Sequence, residues 1–400
     1  MTELITIDEA RGRVLEAVTR LGDEPVPLGA ALGRVLAKDV TSAVAVPPFD
    51  SSAMDGFAVV AGPGGELDVV GEARAGHPYS GVVAPGTAVR ISTGALVPDG
   101  ATAVTPVERT TAVKEHGSGD AVSVPDTAPG ANIRRAGEDI PLNAVVLRTG
   151  ARLGPAELGV AASLGRAELR CARQPRVAIL VTGDELTPPG TPLAPGHIYG
   201  SNGFALGAQV ERAGGIVAGR TTVPDDREGT RAAVGQALDE ADVVVISGGV
   251  SVGPHDHVKP ALLELGVEER FWGVRLRPGK PAWFGTRGDT LAFGLPGNPV
   301  SAMVTFQLFA RPALAALQGA VPAAPRAHAR LGEPIPRNPR REQAIRVSLL
   351  QSEDGLVARP TTSAQGSHVL TSMLGADALA FVAPGDGDAA AGERVEVELL

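Results

Sequence analysis

Cysteine is almost absent from this chain, since Cys171 stands alone among 400 residues. A single cysteine excludes an internal disulfide and a cysteine-based zinc site. No apolar run approaches the ~20 residues of a membrane span, and the first residues, MTELIT, lack a basic region followed by an apolar core. No signal peptide is therefore expected. Together these absences predict a cytoplasmic protein with no membrane partner.

Lysine and net positive charge are also scarce. Only four of the 36 basic residues are lysine, and the formal net charge is -9. A nucleic-acid partner would need a basic protein face to meet its phosphates, so nucleic acid is excluded as the expected partner. If the substrates are small anions, either basic side chains gather at the site or a divalent cation screens its carboxylates. Lys280 lies in a rigid loop between Gly279 and Pro281, and it is the lysine that we expect to meet an oxyanion.

The length and composition indicate a globular protein of several domains. A chain of 400 residues exceeds one ordinary core and suggests two to four domains. Glycine (51 residues) and proline (33 residues) are frequent, but apolar strands recur between them. This pattern indicates many turns rather than disorder.

The most informative segment is a strand that ends in a glycine loop. Val243–Ile246 is a run of β-branched apolar residues, typical of a strand buried on both faces of a parallel sheet. It ends at Ser247, Gly248 and Gly249, where bare backbone can turn its N–H groups toward an anion. Residues 258–265 predict the returning helix. The loop matches neither a P-loop nor a dinucleotide-binding fingerprint, and a tight turn that merely requires glycine is the alternative.

Four further strands are predicted to end in similar loops. Ligands of a doubly wound α/β fold bind at the carboxyl ends of its strands, so glycine, carboxylate and lysine residues at several strand ends indicate a site. The last loop would cap a helix, with Asn298 as N-cap and Pro299 in the first turn, and its free N–H groups would suit an oxyanion. The strands and loops are Val177–Val181 with Thr182–Glu185, Ile216–Val223 with Pro224–Asp226, Phe271–Arg277 with Pro278–Pro281, and Thr290–Leu295 with Pro296–Pro299.

The carboxylates of these loops favour magnesium over zinc. Mg²⁺ takes oxygen ligands, keeps several waters and bridges to substrate phosphates through one or two carboxylates. The turns Thr182–Glu185 and Pro224–Asp226 suit such a site. The alternative is a pair of solvated turns in which aspartate makes local hydrogen bonds, and we prefer it for Asp226. His255 and His257 would point to opposite faces of an extended segment, so we do not expect them to bind a metal.

Taken together, the motifs of this sequence resemble the molybdopterin molybdotransferase (molybdenum insertase) family of molybdenum cofactor biosynthesis, which includes the gephyrin catalytic domain. Each motif alone is weak, but the set occurs in the family's order from about residue 47 to 373, which covers nearly the whole chain. The family pattern also fits the glycine loop better than a hydrolase's nucleophile elbow, whose Gly-x-Ser-x-Gly letters are present at 249–253. The motifs are Pro47–Phe57, Ile91–Ala95, Asn132–Asp139, Thr182–Glu185, Gly248–Gly253 with Asp256, and Leu295–Ser301.

The resemblance implies the fold class. It is an α/β multidomain protein with a doubly wound α/β molybdopterin-binding domain, an inserted β-rich domain, a small linking α+β domain and a C-terminal β barrel. The implied bounds are 22–44 and 141–173 for the linking domain, 45–140 for the inserted domain, 1–21 and 174–318 for the α/β domain, and 319–400 for the barrel.

The resemblance also implies site residues. For catalysis it points to the motif positions Asp55, Thr93, Asp139, Glu185, Asp225 and Asp256, of which the last three would be the metal ligands. Either Arg134 or Arg135 could neutralise a phosphate, with the other in an ion pair. The implied substrate-binding residues are Gly248, Gly249, Ser251, Arg277, Lys280, Pro281, Pro296, Pro299, Ser301, Arg341 and Ser367.

The activity implied by the resemblance is the last step of molybdenum cofactor biosynthesis. Molybdate-derived molybdenum is inserted into adenylylated molybdopterin, with Mg²⁺-dependent cleavage of the adenylyl phosphate and release of AMP. The family's arrangement is a homodimer in which the inserted domain leans over the α/β domain of the partner subunit. Further implied partners are the molybdopterin adenylyltransferase and acceptor molybdoenzymes.

Three departures from the family pattern leave alternatives open. Arg277 stands where many relatives have lysine, Gly273 where some carry a further lysine, and Gly200 where aspartate is common. A catalytically weak pterin-binding paralogue or scaffold, or a tungstate-selective insertase, would be consistent with such changes. The related adenylyltransferase is a third alternative, but it is usually a shorter chain without the added β domains.

Overall fold

The structure is a computed structural model that describes residues 4–113, 120–250 and 256–400. The predicted substrate-binding residue Ser251 and the histidine His255 lie outside these described residues. The chain forms a small linking domain, an inserted β domain, a central α/β domain and a C-terminal barrel.

The linking domain is built from two segments that flank the inserted domain. Asp23–Pro27 pairs antiparallel with Glu168–Ala172, and Val40–Thr41 pairs with Val145–Leu147. The helix Pro155–Ser163 covers these strands. Cys171 is fully buried in this core, and burial raises the pKa of its thiol, so the single cysteine is a packing residue.

The inserted domain is a six-stranded sheet with an apolar cluster on each face. Alternation along Gly56–Val59 places Ala58 in one cluster, and Phe57 and Val59 in the other. A short pair, Ser51–Ser52 with Ile133–Arg134, lies beside the sheet. In spatial order the strands are Ala103–Pro106, Gly56–Val59, Thr87–Ile91, Gly65–Ala73, Ala121–Val124 and Thr111–Val113.

The α/β domain contains a six-stranded sheet in the order β2-β1-β3-β6-β5-β4. The first four strands in this order are parallel, whereas β5 runs antiparallel to both of its neighbours. Every residue of β3 is buried, as its unbroken apolar run predicts. The strands are β1 (Arg176–Thr182), β2 (Ile216–Val223), β3 (Val243–Ser247), β4 (Glu268–Trp272), β5 (Trp283–Arg287) and β6 (Thr290–Leu295).

Helices cover both faces of this sheet, which makes the domain doubly wound. One core cluster joins the sheet to α1, α2, α5 and α6, and a second joins it to α3 and α4. A π-helical turn at Phe306–Ala310 separates α5 from α6. The helices are α1 (Ile7–Glu16), α2 (Asn202–Arg212), α3 (Arg227–Glu240), α4 (Val258–Glu264), α5 (Pro299–Thr305) and α6 (Arg311–Leu317).

One helical stretch corrects the expectation that no apolar run approaches a membrane span. Pro299–Leu317 has 19 residues and a mean hydropathy of 1.4, which would suffice by length and composition. However, 83% of this stretch is buried inside the protein. It packs in the core of the α/β domain, which accounts for its apolar composition.

The C-terminal domain is a closed five-stranded barrel. Its strands, in order around the barrel, are Glu342–Ser352, Gly355–Pro360, Arg326–Leu331, Arg394–Leu399 and Ala378–Val382, and the last pairs again with the first.

The barrel also pairs with a short segment of the α/β domain, and this pairing corrects one expected strand. Instead of one strand over 271–277, β4 ends at Trp272, and Gly273 turns the chain at φ +88°. Leu276–Arg277 then pairs with the barrel strand at Glu342 and Gln343. The second half of the predicted strand therefore pairs with a strand of the barrel instead of continuing β4.

Candidate active site

The carboxyl ends of β1, β3 and β6 meet at one edge of the sheet around a cavity of about 360 Å³, here called the loop cavity. Three of the predicted strand-end loops contribute to its wall, as the parallel arrangement requires. The lining residues are Val181, Thr182, Glu185, Leu186, Ile198, Tyr199, Gly200, Ser201, Asn202, Ser247, Gly297, Asn298 and Pro299.

Asn202, the first residue of α2, ties these loops together. Its buried side-chain amide donates to Ser247 Oγ at 2.8 Å and to the backbone oxygen of Gly297 at 2.7 Å. Ser247 Oγ in turn donates to the backbone oxygen of Pro296 at 3.1 Å. This network fixes the ends of β3 and β6 relative to α2, so the cavity is preformed.

The glycine loop after β3 requires glycine for two separate reasons. Gly248 and Gly249 have φ values of +100° and +66°, which L side chains rarely adopt. A Cβ at Gly248 would also lie 2.4 Å from Thr182 Oγ1. The N–H of Gly248 donates to Leu295 at 3.0 Å, so this group is already used and is not available to an anion. The loop therefore offers one N–H donor fewer to an anion than the sequence predicted.

The start of α5 is capped from the barrel rather than left open. The N–H of Val300 donates to the backbone oxygen of Ser367 at 3.2 Å. Asn298 occupies the N-cap position but makes no capping bond, and its side-chain amide donates to Ser367 Oγ at 3.0 Å. The predicted residues Ser367 and Pro299 are thus brought together, with Ser301 buried in the same first turn of α5. The N–H of Val300 is therefore not free for an oxyanion as expected.

Two of the three predicted metal ligands, Glu185 and Asp225, lie on turns that are joined by hydrogen bonds. Glu185 lines the loop cavity, and the turn of Asp225 is joined to it because the N–H of Asp225 donates to Asp184 Oδ1 at 3.1 Å. Asp226 caps α3 by accepting from the N–H of Gly229 at 2.7 Å. Among residues 4–113, 120–250 and 256–400, no three histidine, cysteine or carboxylate side chains are arranged to hold a metal ion, so Glu185, Asp225 and Asp256 do not converge.

A second cavity of about 290 Å³, here called the interdomain cavity, lies between the loop after β4 and the barrel. Arg277 and the fully buried Arg346 both line it, and they lie on neighbouring strands. Burial lowers the pKa of Arg346 to about 10, and the charge of Arg277 contributes to this lowering. The lining also contains one carboxylate, Glu333, and the uncharged polar residues Gln343, Ser363 and Gln365.

Other predicted residues lie close to this cavity without lining it. Lys280 is exposed in the same loop as Arg277, with Pro281 half-buried beside it. The backbone N–H of Arg341 donates to Asn338 Oδ1 at 2.9 Å in a turn before the barrel strand. Among the lining residues of the two cavities in the described chain, neither Lys280 nor Arg341 occurs. Arg346 therefore lines the interdomain cavity, whereas the predicted residue Arg341 does not.

In the inserted domain, two predicted residues contact each other directly. Asp55 Oδ1 accepts from the N–H of Thr93 at 2.6 Å and from its hydroxyl at 2.9 Å. These two hydrogen bonds lower the pKa of the Asp55 carboxyl. Asp139 is exposed on the same domain. Arg135 forms the ion pair, with Asp50 at 2.5 Å, which leaves Arg134 as the candidate for a phosphate.

A smaller apolar pocket of about 290 Å³ adjoins the loop cavity and shares Val181, Leu186 and Gly200 with it. Phe204 is 57% exposed at its edge. The guanidinium of Arg220 lies 5.1 Å from the centre of the Phe204 ring. An exposed ring with a stacked cation is a suitable surface for a planar heterocycle.

The sequence interpretation missed Arg346 and did not assign a role to Asn202. A basic residue between inward-facing apolar residues was the available indication for Arg346, because Ala344, Ile345 and Val347 are all buried. Asn202 is the first residue of a helix that begins at the site. The alternation of strands and helices along the sequence could have indicated this position.

Three protein-family models match consecutive parts of the chain. The model "MoeA N-terminal region (domain I and II)" matches residues 5–165. "Probable molybdopterin binding domain" matches residues 178–316, and "MoeA C-terminal region (domain IV)" matches residues 328–400.

Proteins of known name and structure give the same result. Molybdopterin molybdenumtransferase of Haemophilus influenzae is 37% identical over 401 residues, covering 99% of this chain and 98% of that protein. Gephyrin of Dictyostelium discoideum is 33% identical over 360 residues, covering 78% of this chain and 49% of gephyrin. The crystal structure of the molybdopterin biosynthesis moeA protein from Pyrococcus horikoshii is 30% identical, with a TM-score of 0.83 and 100% of both chains covered. The resemblance and the fold class drawn from the sequence are confirmed, and the chain belongs to the MoeA family of molybdopterin molybdenumtransferases.

Proposed function

We propose that this protein is a cytoplasmic molybdopterin molybdenumtransferase that inserts molybdenum into adenylylated molybdopterin and releases AMP. The observation that carries this proposal is the position of the loop cavity in a chain of the MoeA family. A cavity fixed by the Asn202 network adjoins an apolar pocket, and its wall residue Asn298 contacts Ser367, which follows Gly366 of the interdomain cavity. A substrate with two planar ring systems, phosphates and an oxyanion acceptor needs these three environments.

The phosphates of the substrate would occupy the loop cavity. Its carboxylate, Glu185, is exposed there, and Asp225 is half-buried on the adjoining turn. Mg²⁺ usually binds proteins through one or two carboxylates and completes its shell with waters and phosphate oxygens. Glu185 and Asp225 fit this mode, with Asp256 as the third candidate, although no cluster is assembled in advance. When bound, Mg²⁺ would offset negative charge on the phosphate as AMP leaves.

Molybdate would bind where the loop after β4 meets the barrel. A tetrahedral dianion needs charge-assisted donors from several sides. Arg277 and Arg346 supply two guanidinium groups, and Lys280 lies exposed in the same loop. Ser301 and Ser367 flank the start of α5 next to these groups. The role of this chain's residues is to hold the oxyanion beside the bound pterin and to exclude water.

Asp55, Thr93 and Asp139 would act on the site of a partner subunit. In the described part of one chain, the loop cavity has no lining residue from 45–140. The hydrogen bonds between Asp55 and Thr93 are nevertheless already formed, and the lowered pKa keeps the Asp55 carboxyl ionised. An ionised, oriented carboxylate suits a residue that contacts substrate. We therefore propose a homodimer in which the inserted domain completes the partner's site.

The direct test is reconstitution with purified protein, adenylylated molybdopterin, molybdate and Mg²⁺. AMP would be measured by chromatography and active cofactor by activation of an apo-molybdoenzyme. Asp225→Asn should lower the rate of AMP release by roughly a hundredfold, and calorimetry should show weaker Mg²⁺ binding.

Asp226→Asn is the matched control, because asparagine caps a helix as well as aspartate does. It should leave both AMP release and Mg²⁺ binding unchanged. Binding of the pterin without AMP release by the wild-type protein would instead identify a scaffold. Faster turnover with tungstate than with molybdate would identify a tungstate insertase.

A further inference from the structure

A cleft of about 470 Å³ lies where the linking domain, the α/β domain and the barrel meet, and nothing in the proposed reaction uses it. It is larger than the loop cavity and is lined by three arginines, one on the linking domain and two on helices of the α/β domain. These are Arg152, Arg212 and Arg311. The barrel closes the other side with Pro325, Met373 and Leu399. We name it the arginine cleft.

The arginines converge without using all of their donors. Arg152 donates to the backbone oxygen of Gly33 at 2.7 Å and of Ala213 at 3.4 Å. Arg212 donates to the backbone oxygen of Leu400 at 2.6 Å. Arg311 donates one Nη2 hydrogen bond, to Pro322 at 3.0 Å. Carbonyl oxygens therefore orient Arg152 and Arg311 without neutralising their charges, whereas the charge of Arg212 is paired with the α-carboxylate of Leu400.

Two polar atoms of the lining residues are buried without a hydrogen-bond partner in the described part of the chain. They are Arg311 Nε and Gln209 Oε1. A buried donor and a buried acceptor left unmatched cost free energy unless another molecule satisfies them. The cleft thus presents positive charge together with unmatched hydrogen-bonding groups.

Electrostatics around the cleft favour an anion. Of the described residues that line it, none has an acidic side chain. Burial lowers the pKa of the Arg311 guanidinium; Glu398 opposes this effect, and the charges of Arg11 and Arg152 add to it. Glu398 itself is already paired with Arg11 and Arg326. The cleft is therefore positively charged although the net charge of the chain is -9.

We propose that the arginine cleft binds a small organic phosphate, separately from the proposed active site. Guanidinium groups bind phosphate oxygens in bidentate fashion, which suits Arg152 and Arg311 on adjoining walls. The remaining wall is apolar and includes Met303, Ala315 and Met373, so the occupant has a carbon body as well as a phosphate. A volume of about 470 Å³ is in the range of small-molecule sites.

Binding here would join three domains. Arg152 belongs to the linking domain, whereas Arg212 and Arg311 belong to the α/β domain. A phosphate held between them would fix the orientation of the linking domain, and through it that of the inserted domain. A bound phosphate would therefore stabilise this arrangement of the domains, which the melting temperature can report.

The test is calorimetric titration of the full-length protein with ribose 5-phosphate and, separately, with inorganic phosphate. We expect one ribose 5-phosphate per chain and weaker binding of inorganic phosphate. Arg152→Gln and Arg311→Gln should each weaken ribose 5-phosphate binding by roughly tenfold or more. Arg394→Gln, which removes an exposed arginine of the barrel that does not line the cleft, should leave binding unchanged.

Arg152 is largely exposed, so Arg152→Gln should fold even if Arg311→Gln does not. The melting temperature should rise with ribose 5-phosphate in the wild-type protein and rise less in Arg152→Gln. Absence of binding to the wild-type protein would overturn the proposal. Binding that Arg346→Gln abolishes but Arg152→Gln leaves intact would also overturn it, because the phosphate would then occupy the interdomain cavity.

Discussion

Arg277 and Arg346 bring two positive charges to the same cavity from two neighbouring strands, of which Leu276–Arg277 comes from the loop after β4 and Glu342–Ser352 from the barrel. Arg346 is fully buried, and its guanidinium donates to Ser372 Oγ and to the backbone oxygen of Ala344, both at 3.1 Å. These neutral acceptors hold the guanidinium in place without cancelling its charge. Burial and the charge of Arg277 lower the pKa of Arg346 to about 10, so an entering oxyanion would relieve a stored electrostatic cost.

The first prediction separates Arg346 from Arg341 as the oxyanion ligand. Arg346→Gln removes the buried charge and should weaken molybdate binding by about one charge-assisted hydrogen bond, roughly 1.5–3 kcal/mol or ten- to a hundredfold. Arg341→Gln should change the affinity less than twofold, roughly the level of a surface substitution. Calorimetric titration of both variants with molybdate measures this difference. A larger loss in Arg341→Gln would restore the interpretation made from the sequence.

The second prediction concerns the pH dependence of Asp55. The backbone N–H of Thr93, and then its hydroxyl, lower the pKa of this carboxyl from the ordinary 3.8. A lowered carboxyl pKa contributes stability that is present above pH 3.8 and is lost as the pH falls through the folded-state pKa. Thr93→Val removes only the hydroxyl bond, so the Asp55 pKa should rise part of the way towards 3.8.

Carboxyl carbon NMR titration would measure the Asp55 pKa, and acid unfolding should begin at a higher pH in Thr93→Val. Thr87→Val is the control, since the hydroxyl of Thr87 bonds to Ala84 in another turn of the same domain. An unchanged Asp55 pKa in Thr93→Val would show that the backbone bond alone sets it.

The third prediction tests whether the site is shared between subunits. Asp55→Ala in the inserted domain and Glu185→Gln in the α/β domain should each abolish AMP release. If each site combines these residues from two subunits, a refolded equimolar mixture contains heterodimers with one intact site. The mixture should regain about a quarter of the wild-type activity. Zero activity in a mixture of verified dimers would assign both residues to the same chain's site.

The sequence was most informative where local pattern and sheet geometry agree. The apolar run Val243–Ile246 predicted a buried strand, and parallel strands bring their end loops to one edge. This explains why the loops with Glu185, Ser247 and Pro299 were predicted to meet. Asp55 and Thr93, 38 residues apart, were named separately from family motifs, and no local pattern predicted the hydrogen bonds between them.

What the sequence did not predict depends on contacts between distant segments. Leu276–Arg277 left the expected strand because a barrel strand more than 60 residues later offered a pairing edge. The N–H groups of Gly248 and Val300 were expected to be free, but Leu295 and Ser367 accept from them. Hydrogen-bond partners of this kind depend on tertiary packing, which propensities and motifs do not encode.

The fourth prediction uses the two glycines, Gly200 and Gly273, interpreted from the sequence as departures from the family pattern. A Cβ at Gly200 would meet no neighbouring heavy atom closer than 3.9 Å, and the residue is not at positive φ. Gly200→Asp should therefore fold and place a second carboxylate on the wall that Glu185 lines. Mg²⁺ affinity should rise by about 1 kcal/mol, or roughly fivefold, which is the interaction of unit charges at about 4 Å in a water-like medium.

Gly273→Lys is the contrasting change. Gly273 has φ +88°, and its Cβ would lie 2.6 Å from Leu4 Cδ2, so this lysine should destabilise the protein. Thermal unfolding and calorimetric Mg²⁺ titration of both variants would check the two expectations. A stable Gly273→Lys variant would mean that the loop after β4 can rearrange.

The last prediction concerns the exposed cations of the loop after β4. Lys280→Ala removes a compact charge that no other lysine near the interdomain cavity can replace, since the chain has only four lysines. Molybdate affinity should fall by roughly 1.5–3 kcal/mol, or about ten- to a hundredfold. Arg277→Lys keeps the charge and restores the residue common in the family, so it should retain binding despite the loss of a planar fork. Calorimetric titration with molybdate decides both. Unchanged affinity in Lys280→Ala would exclude this exposed side chain and assign the oxyanion to Arg277 and the buried Arg346 alone.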